Sequence, residues 1–192
     1  MKTIGNYVFF YGGILSNFTK AHFKMEMFCE IHEFFCSEQA FMWLKAKYFR
    51  DEETAKLILA EKSDPKKVKM LGRQVRNYDD EQWAAVRRRF MEIAVLAKFK
   101  QNKPMADALC DKAYNGKTFV EASPIDTIWG IGLGLDTEDS VLVDETKWRG
   151  TNLLGQVVGS VRVQLLNPVT ENSRFNKRLK HEHHNTRSHG RQ

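Results

Sequence analysis

The run Ser37-Glu38-Gln39-Ala40-Phe41-Met42-Trp43-Leu44-Lys45 sets a carboxylate and an amine two helical turns apart. At about 100° per residue, positions 38, 41, 42, 45 and 49 fall on one side, so Glu38 and Lys45 share a face with Phe41, Met42 and Phe49. An acid and a base on an apolar stripe either pair through a neighbour or line a cavity, because burying either charge alone is costly. Glu38 also has a purely structural explanation, since an acid in a helix's first turn complements the dipole.

The most unusual segment is Val120-Glu121-Ala122-Ser123-Pro124-Ile125-Asp126-Thr127-Ile128-Trp129-Gly130-Ile131-Gly132. It follows a strand pattern, turns at a proline, and sets Asp126 three residues before Trp129. Gly130 would allow a ligand close to the backbone, and Trp129 offers a flat stacking surface. Gly130 and Gly132 make no dinucleotide fingerprint, because a third glycine and the strand-turn-helix setting are missing. Candidate anion ligands are Arg73 and Arg76 beside Gly72, whose planar forks suit phosphate, although arginines near helix ends are usually solvated. Lys147-Trp148-Arg149-Gly150-Thr151-Asn152 leads into a helix whose N-terminal N–H groups suit an anion. Trp83 and Trp148 are possible stacking platforms, with core packing the alternative. Arg87-Arg88-Arg89 reads as a polar helix face.

The elements that must position these residues are mainly helical. Ser37 reads as an N-cap for a helix over 38–49. Others follow at about 51–61, from Pro65 to near Gly72, from Asp79 to about Gln101, shortly from Pro104, and over 152–166. The alternation of Phe23, Met25, Met27, Cys29 and Ile31 predicts one strand over 23–31; 8–11 and 117–122 predict two more. The expected fold is α+β, a predominantly helical single domain with a small antiparallel sheet.

The chain has 192 residues, of which 42% are hydrophobic and 11% aromatic. That is enough apolar surface for one packed domain and excludes global disorder. No run approaches the ~18 apolar residues of a membrane helix, and the start carries no secretion pattern. Cys29, Cys36 and Cys110 match no zinc spacing, which with the absence of a signal suggests a reducing cytoplasm. His22 and His32 have no partner at ligand spacing, so no metal and no cofactor is expected. The net charge is +6, but residues 171–192 hold six Lys/Arg against two Asp/Glu, leaving only +2 for the rest. Residues 167–192, with four of the six His, read as a basic disordered tail behind a domain over 1–166. Such a tail is a solubilising extension or a weak, salt-dependent nucleic-acid attachment.

Together these segments resemble the YbiA-like or NADAR family, over about 7–166. The matching stretches are SEQAFMWLKA at 37–46, LGRQV at 71–75, Trp83, KFKQN at 98–102, EASPIDTIWGIG at 121–132 and KWRGTNLLG at 147–155. The spacer 133–146 and residues 113–116 match nothing. The resemblance implies a YbiA-like fold and hydrolysis of an N-glycosidic bond. Members look like N-glycosidases of early riboflavin-pathway intermediates, ribosylamino-pyrimidine phosphates, and relatives remove ADP-ribose from guanine bases. In both substrate types ribose C1 is bonded to an exocyclic amine, a linkage that can open to an imine.

On that reading Glu38 shuttles protons to the departing amine and from the attacking water. Lys45 either steadies a phosphate or attacks C1 to form a transient imine, the option the resemblance favours. Asp126 is the second carboxylate, binding a ribose hydroxyl or stabilising positive charge at C1, by analogy with sugar hydrolysis. Trp83, Trp129 and Trp148, with Gly130 and Asn152, would contact the base or sugar; Arg73, Arg76 and Arg149 would take the phosphate. The rival readings are an ADP-ribosyl-guanine hydrolase acting on nucleic acid and a non-catalytic ADP-ribose or nucleotide-binding module. No membrane partner is expected.

Overall fold

The computed structural model describes residues 1–168. In chain order it contains β1 (Lys2–Ile4), β2 (Tyr7–Phe10), β3 (Phe23–Met27), β4 (Glu30–Phe34), α1 (Ser37–Tyr48), α2 (Glu52–Ala60) and α3 (Pro65–Arg73). There follow α4 (Asp80–Gln101), α5 (Lys103–Leu109), β5 (Thr118–Glu121), α6 (Asp139–Leu142) and α7 (Leu153–Leu166). The class is α+β with helix dominant, as expected. The expected tail lies, from residue 169 on, outside the described residues. No described helix is long and apolar enough to cross a membrane.

Helix starts follow local chemistry. Asp51, Asp64 and Asp79 each accept a hydrogen bond from a backbone N–H in the turn they precede, at Thr54, Lys66 and Gln82. The start of α1 differs from expectation. Cys36 occupies the cap position, and Ser37 is already helical. The Glu38 N–H donates instead to the Asn17 carbonyl at 3.0 Å, and the Ser37 hydroxyl donates to the same carbonyl at 3.3 Å. A distant loop therefore satisfies the amide that a local side chain would have satisfied.

The sheet also needs correction. β1 pairs antiparallel with β2, but β2 pairs parallel with β5, Val8 facing Phe119. Parallel pairing is possible because the chain between β2 and β5 is a long, mostly helical crossover rather than a turn. The expected strand over 23–31 is in fact a hairpin, β3 against β4, with Met27 opposite Glu30. Phe28 and Cys29 form its turn at positive φ, 54° and 63°. Phe28, the exception in the alternation, marks the break; its ring lies edge-on to Trp43 and Phe90.

α1 is the central post of the molecule, packed against α2, α3 and α4. Ala40, Phe41, Trp43, Leu44 and Ala46 are all buried, so α1 is apolar nearly all round rather than striped. A second cluster of Phe9, Val120, Ala122, Ile131, Leu133 and Leu142 lies on the other side of the three-stranded sheet's residues.

Candidate active site

β5 ends at Glu121 and passes into a loop whose shape is set by Asp126. The Asp126 amide donates to Ser123 Oγ at 3.2 Å, and its Oδ1 accepts from the N–H groups of Ile128 (3.1 Å) and Trp129 (2.8 Å). An aspartate accepting two amides just downstream closes a tight turn. The loop is then bound to the segment before α7. Backbone bonds join Arg149 N to Ile131 O, Thr151 N to Thr127 O, Asn152 N to Gly130 O, Leu153 N to Ile128 O and Leu154 N to Trp129 O. Asp126 is thus held by a rigid double layer of chain.

Opposite this loop stand α1 and α3. Glu38 is only 5% exposed. Its carboxyl is pushed up to about 7, first by burial and then by the negative charge of Asp126, against the opposing pull of Lys69 and Arg73. No hydrogen bond from the described residues contributes to this balance. Glu121 behaves similarly. Burial, then Asp126 and Glu38, push it up to about 7, and only Lys69 opposes. Lys69 Nζ lies 3.4 Å from Asp126 Oδ2, with both side chains partly open to solvent. The charges of Lys69 and Arg73 on α3 thus bear on the buried Glu38, Lys69 and Asp126 bear on Glu121 as well, and Lys69 and Asp126, both partly exposed, form the ion pair. Two shallow hollows of about 180 and 250 Å³ lie elsewhere, against Leu57, Glu61 and Leu71 and against His22, Glu33 and Phe34. Neither is lined by these carboxyls.

Lys45 sits apart from this group. Its Nζ donates to the Gly72 carbonyl at 2.9 Å and lies 4.1 Å from the Tyr78 ring centroid and 5.7 Å from that of Trp83. Burial lowers its pKa, with Asp80 opposing. The shared face of α1 thus separates into an acid end at Glu38 and an amine end at Lys45. Met42 between them packs so closely on Gly72 that a methyl at that glycine would collide with the Met42 side chain.

Residues 9–166 match the NADAR domain model. The chain belongs to the NADAR family. It is 40% identical over 153 residues to the Caenorhabditis elegans protein irg-1, covering 79% of this chain and 68% of that protein. It is 37% identical over 165 residues to an N-glycosidase of Acanthamoeba polyphaga mimivirus, covering 81% of this chain and 94% of the relative. The NMR structure of the Escherichia coli protein YbiA superposes with a TM-score of 0.65 at 24% identity, covering 89% of this chain and 94% of that one. That last likeness concerns the fold.

Within this NADAR domain several expected ligand contacts have other tasks. Trp83 is 6% exposed and packs among Phe41, Phe49 and Phe90, so it is core rather than a stacking shelf. Trp148 donates its indole N–H to the Leu142 carbonyl and packs edge-on to Tyr7 in the second cluster. Asn152, at φ 53°, bridges β5: its Oδ1 accepts from Glu121 N and its Nδ2 donates to Phe119 O. The N–H groups expected to bind an anion at the start of α7 are taken by the carbonyls of Ile128 and Trp129. At Gly130 the close approach is to Ser123 and the Glu121 carbonyl, not to a ligand. Trp129 is partly exposed beside Phe41, and Arg73 and Arg149 are exposed, so these three remain available. Arg73 alone of the arginines acts on the Glu38 carboxyl.

Arg76 is a structural residue. Its guanidinium donates to the buried Asp51 carboxyl at 2.7 Å and reaches Glu53 at 3.0 Å. This contact, with the Thr54 and Arg76 amides, holds Asp51 well below the usual carboxylate range. The arrangement predicts that Arg76→Met lowers stability at pH 7, because it leaves the buried Asp51 carboxylate without its charged partner, as urea unfolding would measure. Because the Asp51 pKa is depressed, that contribution is present above the unfolded-state pKa and fades as pH falls, so the variant and parent curves should converge in acid.

The sequence reading missed Lys69 and Glu121 as site residues. Lys69 had a signal: it lies four residues before Arg73, on the same face of a predicted helix. Glu121 had a weaker one, an acid ending a buried strand immediately before a proline turn.

Proposed function

We propose that this N-glycosidase hydrolyses the bond between ribose C1 and an exocyclic amine in a phosphorylated ribosylamine of the riboflavin-intermediate type. The observation that carries the reading is Glu38: a buried carboxyl that accepts no hydrogen bond among the described residues, pushed up to about 7 by burial and by the charge of the anchored Asp126. A carboxyl with that pKa can give a proton to a departing amine and take one from a nucleophile at physiological pH. Asp126, its Oδ1 held by the loop amides, offers Oδ2 to a ribose hydroxyl or to positive charge building at C1. Lys69 and Arg73 supply phosphate contacts at the open edge, with the exposed Arg149 tied to the loop through its backbone bond to Ile131. Trp129 offers the partly exposed face for the base.

Lys45 is assigned as the nucleophile that forms a transient imine with C1. Its lowered basicity leaves more free amine near neutrality, which supports the assignment. Reaching C1 requires its side chain to leave the Gly72 carbonyl. Borohydride added during turnover should therefore leave a sugar adduct on the peptide containing Lys45. An active Lys45→Arg variant with no adduct would show instead that water attacks C1 directly.

The substrate class is tested by assaying the full chain on a ribosylamino-pyrimidine phosphate and on an oligonucleotide carrying ADP-ribosylated guanine. Faster turnover of the former is expected. The second reading, ADP-ribosyl-guanine in nucleic acid, draws support from the basic α3, where Lys66, Lys67 and Arg73 are exposed. It requires the reverse preference, with a steep loss of rate as salt is raised.

A further inference from the structure

We propose that Phe18 is a substrate-contacting residue of this site, its ring forming the wall against which the ribose of the substrate packs. This deepens the N-glycosidase reading and rests on it for the identity of the sugar.

Contacts on two sides place Phe18. Lys69 Nζ lies 5.9 Å from the Phe18 ring centroid, within the range of a cation–π contact, and the same Nζ is 3.4 Å from Asp126 Oδ2. One residue earlier, the Asn17 carbonyl accepts the Glu38 N–H at 3.0 Å, and Asn17 Oδ1 accepts the Ser37 hydroxyl at 3.2 Å. The loop after β2 therefore touches the start of α1 through Asn17 and the Lys69–Asp126 pair through Phe18. Topology brings it there. β2 and β5 run parallel, so the loops that follow Phe10 and Glu121 emerge at the same end of the sheet, where the Ala122 N–H donates to the Phe10 carbonyl at 2.8 Å.

The ring is half-buried, yet it belongs to neither apolar cluster of the fold. Its backbone is nevertheless fixed. The Phe18 N–H donates to Ser16 Oγ at 3.2 Å, and Lys98, 1% exposed, donates to the carbonyls of Ile14 and Ser16 at 2.7 and 2.9 Å. An aromatic ring held rigidly outside the core offers a binding surface with little entropy left to lose. With C1 at Glu38 and Asp126 and the phosphate at Lys69 and Arg73, the ribose spans the stretch that Phe18 borders. The C–H groups of that sugar are the apolar part of a ribosyl phosphate, and the flat face of Phe18 shields them from water, leaving Trp129 to the base.

The probe for the test is ribose 5-phosphate, which carries the sugar and the phosphate but no base and no bond to cleave. Calorimetry on the full chain should show Phe18→Ala binding it about tenfold more weakly than wild type, Phe18→Leu about threefold more weakly because it keeps bulk without a flat face, and Phe18→Tyr about as tightly. On a ribosylamino-pyrimidine phosphate, Phe18→Ala should raise KM about tenfold with kcat within about twofold. Melting temperatures should stay close to that of wild type, since the ring lies outside the core clusters. A merely structural role would instead lower the melting temperature and leave the affinity of the folded protein unchanged. Wild-type affinity for the probe in folded Phe18→Ala or Phe18→Leu overturns the sugar wall, as does a wild-type protein that does not bind ribose 5-phosphate. A wild type that binds the probe with the expected order of variants but cleaves no N-ribosyl amine upholds the wall and overturns the hydrolase reading instead.

Discussion

Glu38→Gln is expected to reduce kcat on the ribosylamine substrate by about 10²–10⁴, the range for loss of a positioned acid–base group, while ligand binding persists. The amide keeps the shape of the side chain, so α1 and its contact with Asn17 should be undisturbed. Ligand affinity measured by calorimetry together with single-turnover rates makes the check. A protein that only binds ADP-ribose or a nucleotide has no rate to lose, so an unaltered affinity with a collapsed rate excludes that class. Wild-type turnover as slow as that of the variant would refute the catalytic assignment.

The same substitution should make the protein more stable in mild alkali. Burial raises the folded-state pKa of Glu38 from an ordinary 4.5 to about 7, so the folded state binds more protons than the unfolded state between those values. Stability from this group is therefore complete below the unfolded pKa and is lost as pH rises toward 7. At about 1.4 kcal/mol per unit, the charged form costs on the order of 3 kcal/mol. Glu38→Gln removes that cost, and its melting temperature should exceed that of the parent at pH 8 but approach it near pH 5. Glu121, pushed up for the same leading reason, adds to the slope. A site that destabilises the fold it sits in is the usual signature of residues kept for chemistry.

Gly155→Ala is the second large effect and concerns folding. A β-carbon there would collide with the Phe119 carbonyl oxygen on β5 and with both side-chain amide atoms of Asn152. Backbone cannot step aside as a flexible side chain can, so a cost of about 2–4 kcal/mol is expected. Urea unfolding measures it. Gly159, one turn further along α7, is the internal control, since nothing lies within 4 Å of a β-carbon built there. Gly159→Ala should stabilise by up to about 1 kcal/mol through helix propensity alone. Equal effects at the two glycines would show that the β5–α7 contact is not tight. Because Asn152 and Gly155 also fix the end of β5, the folded fraction of Gly155→Ala should turn over more slowly than wild type.

The helices were legible in the sequence wherever local chemistry writes their ends. Pro65 in a first turn, Asp79 before α4 and the apolar period of α7 need no tertiary partner to be read. The class α+β followed from them, and the family from motifs spread in order along the chain. What the sequence did not carry was pairing and direction. A parallel partner for β2 lies more than half the chain away, and period alone cannot say which strand it is. The hairpin at Phe28 and Cys29 has no glycine to announce it; rings on α1 and α4 hold it.

For the site the division is similar. Residue type and helical spacing singled out Glu38 and Lys45 and the proline-turn segment holding Asp126, and it was the family resemblance that implied catalytic roles for the three. Only tertiary structure set Glu38 against Asp126 while turning Lys45 to the Gly72 carbonyl, and only it brought Lys69 and Glu121 into the group. The physical reason is that a pKa and a contact depend on dielectric and neighbours contributed by α1, α3, β5 and the loop together. Those elements are distant in sequence, and nothing local to any one of them records where the others will lie.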